Sequence, residues 1–152
     1  MRENMTRTSA RRIAVQLIYA SASGTDLTVD EFFEQEYYSA LPPEDGLFEE
    51  YPSEAQKSYI AAVVEGVAEH VNELDAVIEQ YARGWKLSRI SSTALAVLRC
   101  AIFEILYMQD QDVPVSVAIN EAVELAKSFD EPETVSFING ILGSFVRDRE
   151  GE

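Results

Sequence analysis

The chain has one cysteine and one histidine among its 152 residues. A single thiol, Cys100, closes no internal disulfide. One sulfur and one imidazole fall short of the several nitrogen or sulfur ligands that zinc sites use. Cys100 lies on the apolar side of a helical pattern, where it reads as a small buried hydrophobe. His70, beside Glu69 and three residues before Glu73, reads as a solvated helix-face residue. With the only histidine on a polar face, no Ser–His–acid or Cys–His set can be nominated. Neither G-x-G-x-x-G nor G-x-x-x-x-G-K-[ST] occurs, so no phosphate-cradling loop is present. The 27 acids make accidental carboxylate pairs expected, and nothing specifies the desolvated cleft that general acid–base work needs. These absences favour a binding module over an enzyme, with no cofactor and no metal. Long apolar runs are missing too. The richest, "ALAVLRCAIFEILYM", contains Arg99 and Glu104 and is shorter than the roughly 18–20 residues of a membrane span. The start, "MRENMTRTSARRIAVQ", is charged and lacks a signal peptide's apolar core. The expected compartment is the cytoplasm, without membrane contact.

Positive charge is scarce and unevenly placed. The formal charge is −15, yet Arg2, Arg7, Arg11 and Arg12 crowd the first twelve residues against a single acid, Glu3. Asp26 to Glu54 then hold ten acids and no Lys or Arg. Such a body repels nucleic acid at long range and favours basic partners. The screening length at cellular salt is only about 8 Å, so a local basic patch acts independently of distant acids.

What is abundant is helical periodicity. A first helix starting near Thr8 or Ser9 carries Ala10, Ile13, Ala14, Leu17 and Ile18 on one side. Arg11 and Arg12 ride on its first turns, against the helix dipole. Cations so placed point either to an anionic ligand or to plain exposure. A second helix, about Val29 to Ala40, is expected to bury Phe32, Phe33 and Tyr37 after a cap at Thr25 or Thr28. "LPPEDG" and the acidic residues after it form a loop over 42–53, the one segment expected to lack order, with Ser53 capping the next helix. The apolar pattern from Glu54 to about Tyr81 exceeds an average helix and predicts a break near Asn72. "RGWKLSRIS" reads as a linker. Ser91 or Ser92 caps a helix to about Gln109 whose apolar residues nearly encircle it, the mark of a central helix. Pro114 sits near the first helical position of the next, which ends at Phe129. After "FDEPE" a last helix starts near Pro132 and buries Val135, Ile138, Ile141, Leu142 and Phe145. Gly140 inside it predicts close approach of a neighbouring helix, and the tail "RDREGE" is expected to fray. The sum is an all-α fold of about seven helices. They form one domain of two small bundles, about 8–83 and about 86–147.

Three strings carry a resemblance. "RRIAVQLIYA" at Arg11–Ala20, "LSRISSTALAVLRCAIFEIL" at Leu87–Leu106 and above all "DVPVSVAINEAVELAKSFDEPETVSFINGIL" at Asp112–Leu142 resemble the NusB family of transcription antitermination factors. The match spans most of the chain apart from the acidic middle and the tail. The same domain also occurs fused ahead of an RNA methyltransferase. The absence of a cofactor-binding domain here makes the free-standing form the closer match.

The resemblance implies two perpendicular helical bundles that bind boxA-type leader RNA of ribosomal RNA operons. It also implies joint action with NusE, a small-subunit ribosomal protein. Other antitermination factors and RNA polymerase are engaged indirectly, so that transcription passes terminators. Carried over by position, the RNA surface comprises Arg7, Arg11, Arg12 and Tyr19 on the first helix, and Phe129, Glu133 and Phe137 at the later corner. Exposed aromatics there would stack unpaired bases and the arginines would hold phosphates; for each phenylalanine the competing role is core packing. Thr8 and Ser9 stand where the family can have arginines, and Ala94 where an acid is common against NusE. The alternative reading is a helical protein–protein adaptor, or a self-associating dimer, with weak or no RNA binding of its own.

Overall fold

The computed structural model describes residues 3–24, 28–32, 50–51, 53–109 and 114–150. Among these the architecture is all-α: α1 (Arg7–Ala22), α2 (Val29–Phe32), α3 (Glu54–Glu69), α4 (Val71–Tyr81), α5 (Ser92–Tyr107), α6 (Val115–Phe129) and α7 (Pro132–Glu150). A two-residue parallel pairing sets Glu3 opposite Glu50 and Asn4 opposite Tyr51. The expected extension of the second helix to Ala40, with Phe33 and Tyr37, lies outside the described residues, as does most of the loop 42–53. No described helix is long and apolar enough to cross a membrane.

The chain divides into two compact units, Met1–Glu65 and Gly66–Glu152. The turn around Gly84, read from the sequence as a linker, falls inside the second. In the first unit α1 begins at Arg7, a little earlier than expected. Thr6 is its N-cap, and the Thr6 hydroxyl accepts the Ser9 amide at 3.0 Å. The apolar stripe of α1 (Ala10, Ile13, Ala14, Leu17, Ile18) is buried, with Phe32 of α2 and Ile60 and Val63 of α3. Thr28 and Ser53 cap α2 and α3 as their hydroxyls accept the amides of Glu31 and Gln56.

In the second unit α5 touches α4, α6 and α7. Ser91 caps it, its hydroxyl accepting the Ala94 amide at 3.1 Å. Its buried residues run all round it, from Ala94 to Ile105, and include Glu104 at 1% exposure, whose Oε1 accepts Cys100 Sγ at 3.4 Å. Arg99, the other charge that marked this helix as soluble, donates twice to Asp75 of α4, at 2.8 and 3.0 Å. A two-point guanidinium–carboxylate contact fixes both spacing and register.

Four expectations change. The α3–α4 break comes at His70, and that residue is no solvated face: its ring stacks on Tyr107 at 4.5 Å and 24°. Gly140 has nothing within 4 Å of where a Cβ would stand. It faces away from the buried stripe of α7 (Ile138, Ile141, Leu142, Phe145), and among the described residues no neighbouring helix approaches it. Close approach occurs instead at Gly66, where a Cβ would overlap the Phe103 ring. The tail through Glu150 is helical. Arg147 and Arg149 suit the negative end of the α7 dipole, and Arg149 lies 5.6 Å over the Phe145 ring.

Candidate nucleic-acid interface

On α1, helical spacing sorts the basic residues by face. Arg7 and Arg11 are four apart, and Arg11 continues a stripe through Val15 and Ile18 that faces inward. Arg11 is only 4% exposed. Both guanidinium groups converge on Tyr59 of α3, at 4.1 Å from the ring centroid for Arg7 and 5.7 Å for Arg11. Arg7 Nε also donates to Gln56 Oε1 at 2.8 Å. Cation–ring contacts that are partly desolvated stabilise by roughly 1–2 kcal/mol. These two arginines therefore help hold α1 against α3. Arg12 is half-buried, and Tyr19, seven residues on and so on the same side of the helix, is 41% exposed. Of the two, Tyr19 is the exposed one, and Arg12 is half-buried as Arg7 is.

In the second unit the α6–α7 corner is fastened from below. Asp130 caps the C-terminus of α6, and its carboxylate accepts from Thr93 Oγ1 at 3.0 and 3.1 Å and from Ser91 Oγ at 3.3 Å. The same few residues thus start α5 and hold the turn between α6 and α7. Phe129, the last residue of α6, is 37% exposed. Glu133 and Phe137 lie one turn apart on α7, Glu133 exposed and Phe137 half-buried. Both line a cleft of about 160 Å³ with Trp85, Arg89, Ile90, Ser91 and Thr134. Phe129 is not among the lining residues.

Trp85 and Arg89 are absent from the sequence-based assignment, which passed over "RGWKLSRIS" as a linker. Two signals were available. Residues 83–89 hold three of the chain's twelve cations and no acid, and they include the only tryptophan. Trp85 is 55% exposed, and its ring meets that of Phe137 at 5.6 Å and 56°. Backbone geometry displays it: α4 ends in two left-handed residues, Arg83 at φ 43° and Gly84 at φ 88°, and Trp85 N then donates to Ala82 O at 3.4 Å. A non-glycine residue at positive φ is uncommon, and such strain gathers where a chain must present a side chain in one place. Ala94, singled out as a departure in a partner-binding region, is fully buried and offers no surface.

The NusB family model matches residues 8–147. The transcription antitermination protein NusB of Thermoanaerobacter sp. (strain X514) is 40% identical over 151 residues, covering 97% of each chain. That of Acetivibrio thermocellus is 42% identical over 144 residues, covering 94% of this chain and 90% of its own. Among solved structures, T. maritima NusB superposes with a TM-score of 0.72 at 26% identity, covering 95% of this chain and 93% of that one. A chain from a crystal structure described as that of a plectonemic RNA supercoil shares the fold, with a TM-score of 0.73 at 18% identity. A family match along nearly the whole chain, carried by relatives at 40% identity or more, means that this chain belongs to the NusB family of transcription antitermination proteins.

Proposed function

We propose that the protein binds boxA-type leader RNA of ribosomal RNA operons together with the ribosomal protein NusE. It acts in the cytoplasm by binding rather than by catalysis, and so keeps RNA polymerase transcribing through terminators. The observation that carries this reading is the aromatic and basic corner of the second unit, on a chain of the NusB family. Phe137 and Glu133, which the family resemblance assigns to RNA, line an open cleft together with an exposed tryptophan and an arginine. Aromatic faces accept unpaired bases whatever their sequence, and arginines hold the backbone between them. From the first unit Arg12 and Tyr19 supply direct contacts, Arg7 adds charge, and Arg11 acts mainly by holding its helix in place.

The test is a labelled boxA-type RNA titrated with the protein, alone and with NusE. Arg12→Glu is the informative variant, because reversing the buried Arg11 would disturb folding. Binding by the two-protein complex should weaken, whereas unchanged affinity removes Arg12 from the interface. With three or four phosphate contacts, log K should fall against log salt with a slope of about −2 to −3; a flat response contradicts the phosphate role.

The second reading, an adaptor or self-associating dimer without its own RNA affinity, is favoured by two observations. The formal charge is −15, and Arg7 and Arg11 are already engaged with Tyr59. An acidic body attracts a basic ribosomal protein. Light scattering on the free protein, followed by an RNA shift assay with and without NusE, separates the two readings.

A further inference from the structure

We infer that Tyr59 and Gln56 of α3 are positioning residues for RNA: they hold the Arg7 guanidinium at the start of α1, set to take one phosphate of the strand. The inference rests on the RNA-binding reading above and names what aims one of its cations.

Chain register brings the parts together. The parallel pairing of Glu3 with Glu50 and Asn4 with Tyr51 runs the lead-in to α1 beside the lead-in to α3. The two helices therefore begin next to each other. Each start is fixed by a hydroxyl cap, Thr6 for α1 and Ser53 for α3. Arg7, the first residue of α1, then comes within reach of Gln56 in the first turn of α3 and of Tyr59 one turn on.

Two contacts of different kinds hold the guanidinium. Its carbon lies 4.1 Å from the Tyr59 ring centroid, and its Nε donates to Gln56 Oε1 at 2.8 Å. The ring fixes where the charge sits, and the hydrogen bond fixes how the group is turned. An arginine has five N–H donors, and Nε carries only one of them. The terminal nitrogens are left for the two-point grip that arginine makes on phosphate. Among the described residues they make no hydrogen bond.

Burial divides the roles. Tyr59 is 3% exposed, so its ring supports from beneath and cannot stack a base. Arg11, held by the same ring, is buried and takes the inner side. Arg7 is half-buried and keeps contact with solvent. A long side chain free in solvent gives up its rotamer freedom when it grips a ligand; one already held loses little more. Tyr59 therefore raises RNA affinity without touching RNA. On a chain of formal charge −15 cations are few, and the aim of each counts for more.

The test uses the full chain with NusE and the labelled boxA-type RNA, over a series of salt concentrations. Tyr59→Leu removes the ring and keeps an apolar side chain. Its affinity should fall roughly threefold to tenfold. The slope of log K against log salt should become shallower by about 0.7, the share of one single-strand phosphate. Tyr59→Phe, which keeps the ring, should restore both. Gln56→Ala should move both the same way by less, and it carries the test if Tyr59→Leu does not fold. Arg7→Ala should add little to the loss already present in Tyr59→Leu, because both changes remove one contact. A merely structural role for Tyr59 would lower the denaturation midpoint and leave the salt slope of the folded protein unchanged. That unchanged slope, equal losses in Tyr59→Leu and Tyr59→Phe, or tighter binding in either, overturns the positioning role. The RNA reading survives such a result if Arg12→Glu still weakens binding. No binding by the natural chain at any salt, with or without NusE, overturns both.

Discussion

Two aromatic groups in the second unit are built from similar residues and end in different states. His70, Phe103 and Tyr107 stack on one another, with centroids 4.5 to 6.2 Å apart. Phe103 fills the space left by the missing side chain of Gly66, and the Tyr107 hydroxyl donates to Glu73. Trp85, Phe137 and Phe129 lie at helix ends and on the outer side of α7, half-buried or exposed, and the rings of Trp85 and Phe137 meet at 5.6 Å. In the first group every ring has a partner from the protein itself. In the second the backbone turns that present the rings are secured by Asp130 and by the left-handed Arg83, but the rings are left short of cover. Rigid support beneath incompletely covered aromatics suits a binding surface; close packing of Phe103 around a glycine suits a core, with Tyr107 at its rim, 43% exposed.

The contrast breaks first at Gly66. In Gly66→Ala the new methyl would overlap the Phe103 ring, and overpacking of this kind costs about 1–3 kcal/mol or more. Chemical denaturation should show a lower midpoint at unchanged slope. A neutral result would mean that the first group is as loosely held as the second. Gly140→Ala tests the opposite case. With open space around it, the substitution should stabilise by about 0.5–1 kcal/mol, because only the helical penalty of glycine is removed. The same measurement on Trp85→Ala should move stability by no more than about 0.5 kcal/mol. A larger loss would place that tryptophan in the core and weaken the distinction.

The smallest effect concerns Tyr107. Its hydrogen bond to Glu73, then burial, then the nearby Glu73 charge hold the phenol above its ordinary 10.0. The protonated form is favoured by folding, so this contribution is complete below pH 10 and fades as pH rises through the shifted value. In Tyr107→Phe, phenolate absorbance should lose a component that titrates above pH 10, with little change in stability at neutral pH.

Much of this fold was legible because its signals are local. Ser53, Ser91 and the periodicity of α5 each announce themselves within a few residues. The positions that misled depend on contacts distant in sequence. Gly66 and Gly140 look alike in their helices, and only Phe103, far along the chain, separates them. Arg11 looked like a surface cation until Tyr59 covered it. At the corner, Phe137 and Glu133 came from the family resemblance, whereas Trp85 and Arg89 were hidden by the appearance of a linker. Turn residues seem idle in sequence because the strain that aims them appears only in backbone angles.

The single thiol has a practical consequence. Cys100 is 1% exposed, in the middle of the helix that touches α4, α6 and α7. An alkylating reagent can reach its sulfur only when that helix comes away from its neighbours. The labelling rate of the untouched natural chain, measured with and without RNA, would therefore time the opening of its innermost helix without any engineered probe.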